Sequence, residues 1–296
     1  MGGVSTDFTR SGDLIHTETK SNIPRGAGLA EKLRAFPDRV RLAVWARLYH
    51  NDRSGRLRSY KSARLRHAPS VNMDLLPGDL ISDCIGFSGV YDAALTQHVT
   101  KLARQGGVFV DIGANLGYFT LLWAAASAQN RCVAFEASPR NVEILQKNVR
   151  QNQLDGQITI VPAAAGAETG RLPFDIGPPD QTGWGGFSLN NHAGCIEMDV
   201  VRPDAIIRAG QRIDFLKIDI EGAELWALMG CEQLLRSGAI REIWYEQNKP
   251  RMEALGIPLD EPVRYLESFE YDSMPHGDPR AKLVEWSAVP RRVQRD

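Results

Sequence analysis

From Gly28 onward apolar residues recur at mixed three- and four-residue steps, through Leu29, Leu33, Phe36, Val40, Leu42, Val44, Trp45 and Leu48. That spacing predicts one or two short helices with Pro37 at a helix start. After Leu75 the pattern changes to short β-rich runs alternating with helical stretches. Val108 to Asp111 reads as a buried strand, Tyr118 to Ala128 as a helix and Cys132 to Glu136 as a second strand. Asn141 to Gln153 reads as a helix with Ser138 as cap and Pro139 in its first turn. Ile158 to Val161, Ile213 to Asp219 and Ile240 to Glu246 predict three further strands, the last two joined by a helix over Ala223 to Leu235 that stops near Gly238. Such alternation demands a mostly parallel sheet covered on both faces, since each crossover helix packs back on the sheet it left. The expected fold is α/β, doubly wound.

Two stretches interrupt the alternation. Gly177 to Asn190, rich in glycine and holding the Pro178-Pro179 pair, predicts a long loop beside the sheet without regular structure. The tail from Asp272 to Asp296 is polar, with one strand-like run, Leu283 to Trp286. The first 25 residues are polar without a period and predict a flexible tail. The expected organisation is therefore a tail over 1–25, a basic helical accessory region over 26–75 and the α/β domain over 76–296.

At 43% hydrophobic and 24% charged residues, the 296-residue chain can bury a sizeable core. The longest apolar stretch, Phe119 to Ala128, falls short of the roughly 20 residues of a spanning helix. With no charged start leading into an apolar block, a cytoplasmic location is expected. Cys84, Cys132, Cys195 and Cys231 are too widely spaced for a paired metal motif and read as reduced structural thiols. The net charge of −1 conceals an asymmetry, because residues 10–67 hold 14 basic and 5 acidic side chains. Six of the basic residues lie between Arg53 and Arg66 with no acid among them. A solvated helix face or basic loop is the expected reading, and a phosphate-binding patch the alternative. A non-enzymatic nucleic-acid binder using the basic 53–66 segment is the alternative outside the enzymes, but nucleic acid is not the expected partner, since no aromatic-rich basic groove is evident beyond Tyr60.

The most informative segment is Val108 to Thr120, where an apolar strand ends at Asp111 and a turn containing Gly113 and Gly117 leads at once into a helix. Glycines there let the backbone approach a ligand closely, and the helix start supplies free amides. In open α/β sheets ligands bind outside the carboxyl ends of the strands where the strand order reverses. The dinucleotide fingerprint asks for three glycines and an anion against the helix start. Here the pattern is Asp-x-Gly-x-Asn-x-Gly, and a nicotinamide-dependent oxidoreductase, the alternative enzyme class, would want glycine where Tyr118 stands. Asp111 would repel a phosphate but suits an ammonium or sulfonium, which favours S-adenosylmethionine. Glu136, at the end of the second strand, is positioned to accept both hydroxyls of a ribose.

The fourth strand carries Asp219, Glu221 and Glu224 at its carboxyl end, and the fifth ends in Tyr245-Glu246-Gln247-Asn248. Asp219 is the first candidate for a general base, Glu246 the second, and His192 in the long loop the third. If a divalent cation takes part, Asp219 and Glu246 are its natural ligands, although nothing in the pattern asks for one. Trp184, Phe187 and Ser188 amid glycines suit a mobile lid that meets the acceptor.

In order along the chain, VFVDIGANLGYFT, FEASPRN, GGFSL, LKIDIEGAE and WYEQN resemble the FkbM-type S-adenosylmethionine-dependent methyltransferases over about Gly89 to Asn248. Gly89-Val90-Tyr91-Asp92 is similar to the family's G-x-Y-E entry, with Asp in place of Glu. The resemblance implies a Rossmann-like class I methyltransferase fold, here with an amino-terminal helical extension, and methyl transfer to a hydroxyl of a small-molecule acceptor in natural-product, sugar or peptide chemistry. Carried over, Asp111, Gly113, Asn115, Gly117 and Tyr118 hold the amino-acid end of the cofactor. Glu136, Ala137 and Ser138 hold its nucleoside, and Asp219 and Glu221 line the rim toward the acceptor. Tyr91 joins Trp184, Phe187 and Ser188 on the acceptor side. A homodimer contact or a shaping of the acceptor pocket is the role expected of the basic front end.

Overall fold

The computed structural model of the protein describes residues 36–189 and 194–291, and the expected tail over 1–25 lies outside them. Helix α1 (Asp38–Tyr49) opens the described chain, followed by the hairpin β1 (Ser62–Arg64) and β2 (Asn72–Asp74) and by helices α2 (Leu80–Ser88) and α3 (Ala93–Ala103). The expected alternation comes next. It runs β3 (Val108–Ile112), α4 (Tyr118–Ala126), β4 (Arg131–Phe135), α5 (Pro139–Gln151), β5 (Ile158–Val161) and the short β6 (Ala164–Ala165). Strands β7 (Gly170–Asp175), β8 (Gly186–Phe187) and β9 (Cys195–Val201) intervene before helix α6 (Pro203–Ile206) and strand β10 (Phe215–Ile218). The chain finishes with α7 (Glu224–Gly230), α8 (Glu232–Arg236), β11 (Ile243–Asn248), α9 (Lys249–Ala254), α10 (Glu261–Glu267), β12 (Tyr271–His276) and β13 (Leu283–Pro290).

Seven strands form one sheet in the order β12, β13, β11, β10, β3, β4, β5. The five from β11 to β5 run parallel, and β13 and β12 extend the β11 edge in antiparallel fashion. The order reverses at β3, with β4 on one side and β10 on the other, so the crevice of a doubly wound sheet opens between β3 and β10. Successive residues of the central strands point to opposite faces, and both faces are dry. Phe109, Ala134 and Phe215 join one core with α3, α4 and α5, while Val110, Ile112, Leu216 and Ile218 join a second with α7, α8 and α10.

Several expectations need correction. Leu65, Val71, Met73 and Leu75 belong to the same core as Phe109 and Trp123, so packing is continuous across the boundary expected at 75/76. The Gly177 to Asn190 stretch is not wholly irregular: Thr182–Trp184 form a 3-10 turn, and β8 pairs with Phe174 and Asp175 of β7. Together β6, β9, β7 and β8 make a second, four-stranded sheet, whose Phe174, Phe187, Met198 and Val200 pack on α7 and α9. The helix expected over 223–235 is two helices. A Cβ on Gly230 would stand 2.2 Å from the Gly166 carbonyl, and that close crossing falls where the helical run breaks. The expected polar tail is a hairpin, and Pro275 is tolerated because β12 is the sheet's edge strand. No helix among the described residues is long and apolar enough to cross a membrane.

Candidate active site

A cavity of about 340 Å³ lies at the β3/β10 switch point and is lined by the β3–α4 turn, the ends of β4 and β10, the α2 start and the 181–187 segment. The turn depends on backbone that only some residues adopt. Gly113 has φ +80°, and a Cβ there would lie 1.9 Å from the Asp219 carbonyl, so the two strand ends pass each other only because residue 113 is glycine. Gly113 and Ala114 amides both donate to the Phe135 carbonyl (3.0 and 2.9 Å), tying the turn to β4. Gly117, at φ +96°, serves packing instead. A Cβ there would press on Leu145 of α5 at 2.5 Å, and Gly117 is not among the cavity-lining residues.

Glu136 follows β4 directly, where it lines the cavity and is 7% exposed. Its carboxylate accepts the Asn115 amide at 2.7 Å and the Ser138 amide at 2.9 Å. Burial raises its pKa, and these amides oppose the rise. Ala137, Ser138, Asn115 and Tyr118 line the same space. Tyr91 stands edge-on to Tyr118 with ring centroids 6.3 Å apart, and Asp92 caps α3 through the Ala94 and Leu95 amides.

Asp111 corrects the sequence reading most sharply. Strand β3 continues through Ile112, so Asp111 is an interior strand residue, 0% exposed and absent from the cavity wall. Its Oδ2 accepts the Thr120 hydroxyl at 2.6 Å, and its Oδ1 lies 3.4 Å from Nζ of Lys217. Lys217, unrecognised from sequence, is the hub of the site. Its ammonium donates to the Gly113 carbonyl at 3.1 Å, stands 3.5 Å from Asp219 Oδ2 and lies 5.7 Å from the Phe119 ring centroid. Burial works against its charge, but Asp219 and Asp111 outweigh burial and hold its pKa above the ordinary lysine value. A lysine between aliphatic neighbours in a buried strand was the available signal, because such a charge requires a carboxylate beside it.

Asp219, the first-choice base, lines the cavity with its side chain 36% exposed. Glu221 (φ +58°) accepts the Asn248 side-chain amide at 2.8 Å and lies 3.5 Å from Nε of Arg251. Burial and then Asp219 raise its pKa to about 7. Glu224 faces inward, accepting the Ile220 and Gly222 amides, and burial carries it to about 8. Glu246 lines the cavity opposite Glu285 of β13, and burial followed by neighbouring carboxylates raises both.

Of the expected acceptor residues, Trp184 stands at the mouth, 52% exposed, and Phe187 lines the cavity while packing on Phe174 and Trp226. Ser188 is not brought to the cavity, its amide donating to the Pro173 carbonyl. His192 lies outside the described residues. The segment expected to be a free lid is tied down through its backbone. Arg140 donates to the carbonyls of Pro178, Pro179 and Gln181, Asn141 to that of Thr182, and Arg251 to that of Trp184. Asp79 accepts the Thr182 amide at 2.8 Å. No group of three or more His, Cys, Asp or Glu among the described residues has metal-holding geometry.

The Methyltransferase FkbM domain family matches residues 111–272, more than half of the chain. Among curated proteins, methyltransferase sdnD of Sordaria araneosa is 26% identical over 208 residues, 56% of this chain and 78% of that protein. Among solved structures, a methyltransferase FkbM from Methylobacillus flagellatus is 23% identical with a TM-score of 0.45. It covers 62% of this chain, which spans 43% of that one. An O-methyltransferase from Bacillus cereus in complex with S-adenosylhomocysteine is 13% identical with a TM-score of 0.37, covering 68% of this chain and 82% of its own.

Two outcomes follow from the buried charges. Asp111→Ala strips one of two carboxylates from a buried ammonium and should cost about 3–5 kcal/mol of unfolding free energy. Urea denaturation checks this, and an unchanged midpoint would contradict it. Glu221 and Glu224 bind protons more tightly in the folded state than at their ordinary value of 4.5. Their contribution to stability is complete below pH 4.5 and is lost as pH rises through about 7 and about 8. Thermal melts of Glu224→Gln should therefore show a flatter decline than wild type between pH 5 and 8, and a parallel decline would refute the assignment.

Proposed function

The chain belongs to the methyltransferase FkbM domain family, and on that premise we propose that it moves a methyl group from S-adenosylmethionine to a hydroxyl oxygen of a small-molecule acceptor. The observation that carries the reading is that Glu136 and Asp219, on the strands flanking β3, line one cavity at the switch point. The residues present fit the cofactor. Glu136 has the acceptor chemistry for ribose hydroxyls, Ala137 and Ser138 lie beside it, and the Gly113 turn lets backbone approach the amino-acid end. Tyr118 stands where the dinucleotide fingerprint asks for its third glycine, which speaks against a nicotinamide dinucleotide. When bound, S-adenosylmethionine supplies an already activated methyl group.

The remaining work falls to the chain itself. A hydroxyl is a weak nucleophile until its proton leaves, and we assign Asp219, a cavity-lining carboxylate whose side chain is partly exposed, to accept that proton. Lys217 stands 3.5 Å from Asp219 and donates to the Gly113 carbonyl at 3.1 Å, tying the carboxylate to the turn. Tyr91 and Trp184 supply apolar walls that orient the acceptor, and alignment of this kind is worth roughly 7–11 kcal/mol in favourable cases. The 178–184 strap is anchored over the cavity by Arg140, Asn141 and Arg251.

Calorimetric titration should show binding of S-adenosylhomocysteine and none of NAD, and the reverse would sink the cofactor assignment. Asp219→Asn preserves shape while removing the proton acceptor, and should lower turnover by about 10²–10⁴ with much smaller change in cofactor affinity. Near-full turnover at saturating cofactor and acceptor would shift the role to Glu246.

A further inference from the structure

Three cavity-lining side chains, Asn115, Asn141 and Thr182, carry a buried oxygen without a hydrogen-bond partner among the described residues, and the last two are the most deeply buried. Asn141 is 2% exposed and Thr182 is 4% exposed, and both line the cavity. Asn141 Nδ2 donates to the Thr182 carbonyl at 2.9 Å and faces Glu136 Oε1 at 3.4 Å. A carbonyl and a carboxylate accept and do not donate, so turning the amide over would set oxygen against oxygen. Oδ1 therefore keeps the remaining direction, and among the described residues neither it nor the Thr182 hydroxyl has a partner. Buried polar atoms in that condition carry the full cost of their desolvation unless something entering the site completes them.

Their position says what enters. Asn141 is within one hydrogen bond of Glu136, the carboxylate assigned above to the ribose, and Thr182 is bonded to Asn141. Thr182 is also held from the opposite side, its amide donating to Asp79 Oδ1 at 2.8 Å, while Asp79 Oδ2 accepts the Ser82 amide as the cap of α2. A chain of hydrogen bonds thus runs from α2 through the strap to α5 and Glu136.

We propose that Asn141 and Thr182 form a second nucleoside contact, bonding a cofactor donor, a ribose hydroxyl or the exocyclic amine of the base, that Glu136 does not take. The inference rests on the cofactor reading above. Asp79 acts as a positioning residue, setting Thr182 in place before the ligand arrives.

Thr182→Val keeps the branched shape and both backbone bonds of residue 182 and removes only the hydroxyl. Titration with S-adenosylhomocysteine should show a roughly 3- to 10-fold loss of affinity, the worth of one hydrogen bond. The melting temperature of the ligand-free protein should hold or rise, because a methyl group replaces an unpartnered buried hydroxyl. The 2′-deoxy, 3′-deoxy and inosine analogues separate the donors, since the analogue lacking the contacted group should bind wild type and variant alike. Equal affinity of both proteins for S-adenosylhomocysteine overturns the inference and leaves the cofactor reading standing, whereas no binding by wild type overturns both. A lower ligand-free melting temperature that accounts for the lost affinity, or an equal loss with all four ligands, marks Thr182 as structural and also overturns it.

Discussion

One buried ammonium organises this site. Lys217 sits in the middle of β10 directly across from Asp111 of β3, because the parallel register pairs those two positions. A shift of one residue would carry Lys217 to the opposite face, where Leu216 and Ile218 are buried in the second core, and away from Asp111. The charge therefore penalises every register but one, and in doing so it fixes where β10 ends. Asp219 emerges at the cavity two residues later, and its carbonyl passes so close to residue 113 that only glycine fits. Strand pairing, turn conformation and the placement of the candidate base are consequences of the same electrostatic requirement.

The parallel strands were legible because each is a short apolar run bounded by turn residues, and the observed ends differ from the expected ones by a few residues at most. Those small differences decided roles. Adding Ile112 to β3 turns Asp111 from a strand-end carboxylate into an interior partner of Lys217. In a strand buried on both faces, alternation carries no information about which side a polar residue takes, so pattern alone could not distinguish the two. Glu136 and Asp219 were legible for the converse reason, since each lies just past its strand end at the cavity.

The antiparallel parts were mostly hidden. Strands β7 and β9 alternate buried and exposed positions irregularly, and Pro173 in β7 and Pro275 in β12 suppress a strand reading. The strap's anchors were hidden more deeply, since Arg140, Asn141 and Asp79 reach backbone groups far along the chain and no local pattern marks them. Glu285 faces Glu246 only because the last strand returns beside β11, so a segment expected to be a polar tail contributes to the acidic surroundings of the cavity.

The strap also has a consequence for the order in which the protein is made. Its bonds join Asp79 to Thr182, 103 residues apart, and Trp184 to Arg251, 67 residues apart. During synthesis the β3 turn and Glu136 leave the ribosome well before Arg251, and the roof over the cavity cannot be completed until then. Closing loops of that length carries an entropic cost, which the pairing of β3 with β10 across a similar separation also bears. A nascent chain can thus expose the Gly113 turn and Glu136 early, yet the strap over the cavity cannot close until helix α9 has emerged, which places completion of the cavity late in folding.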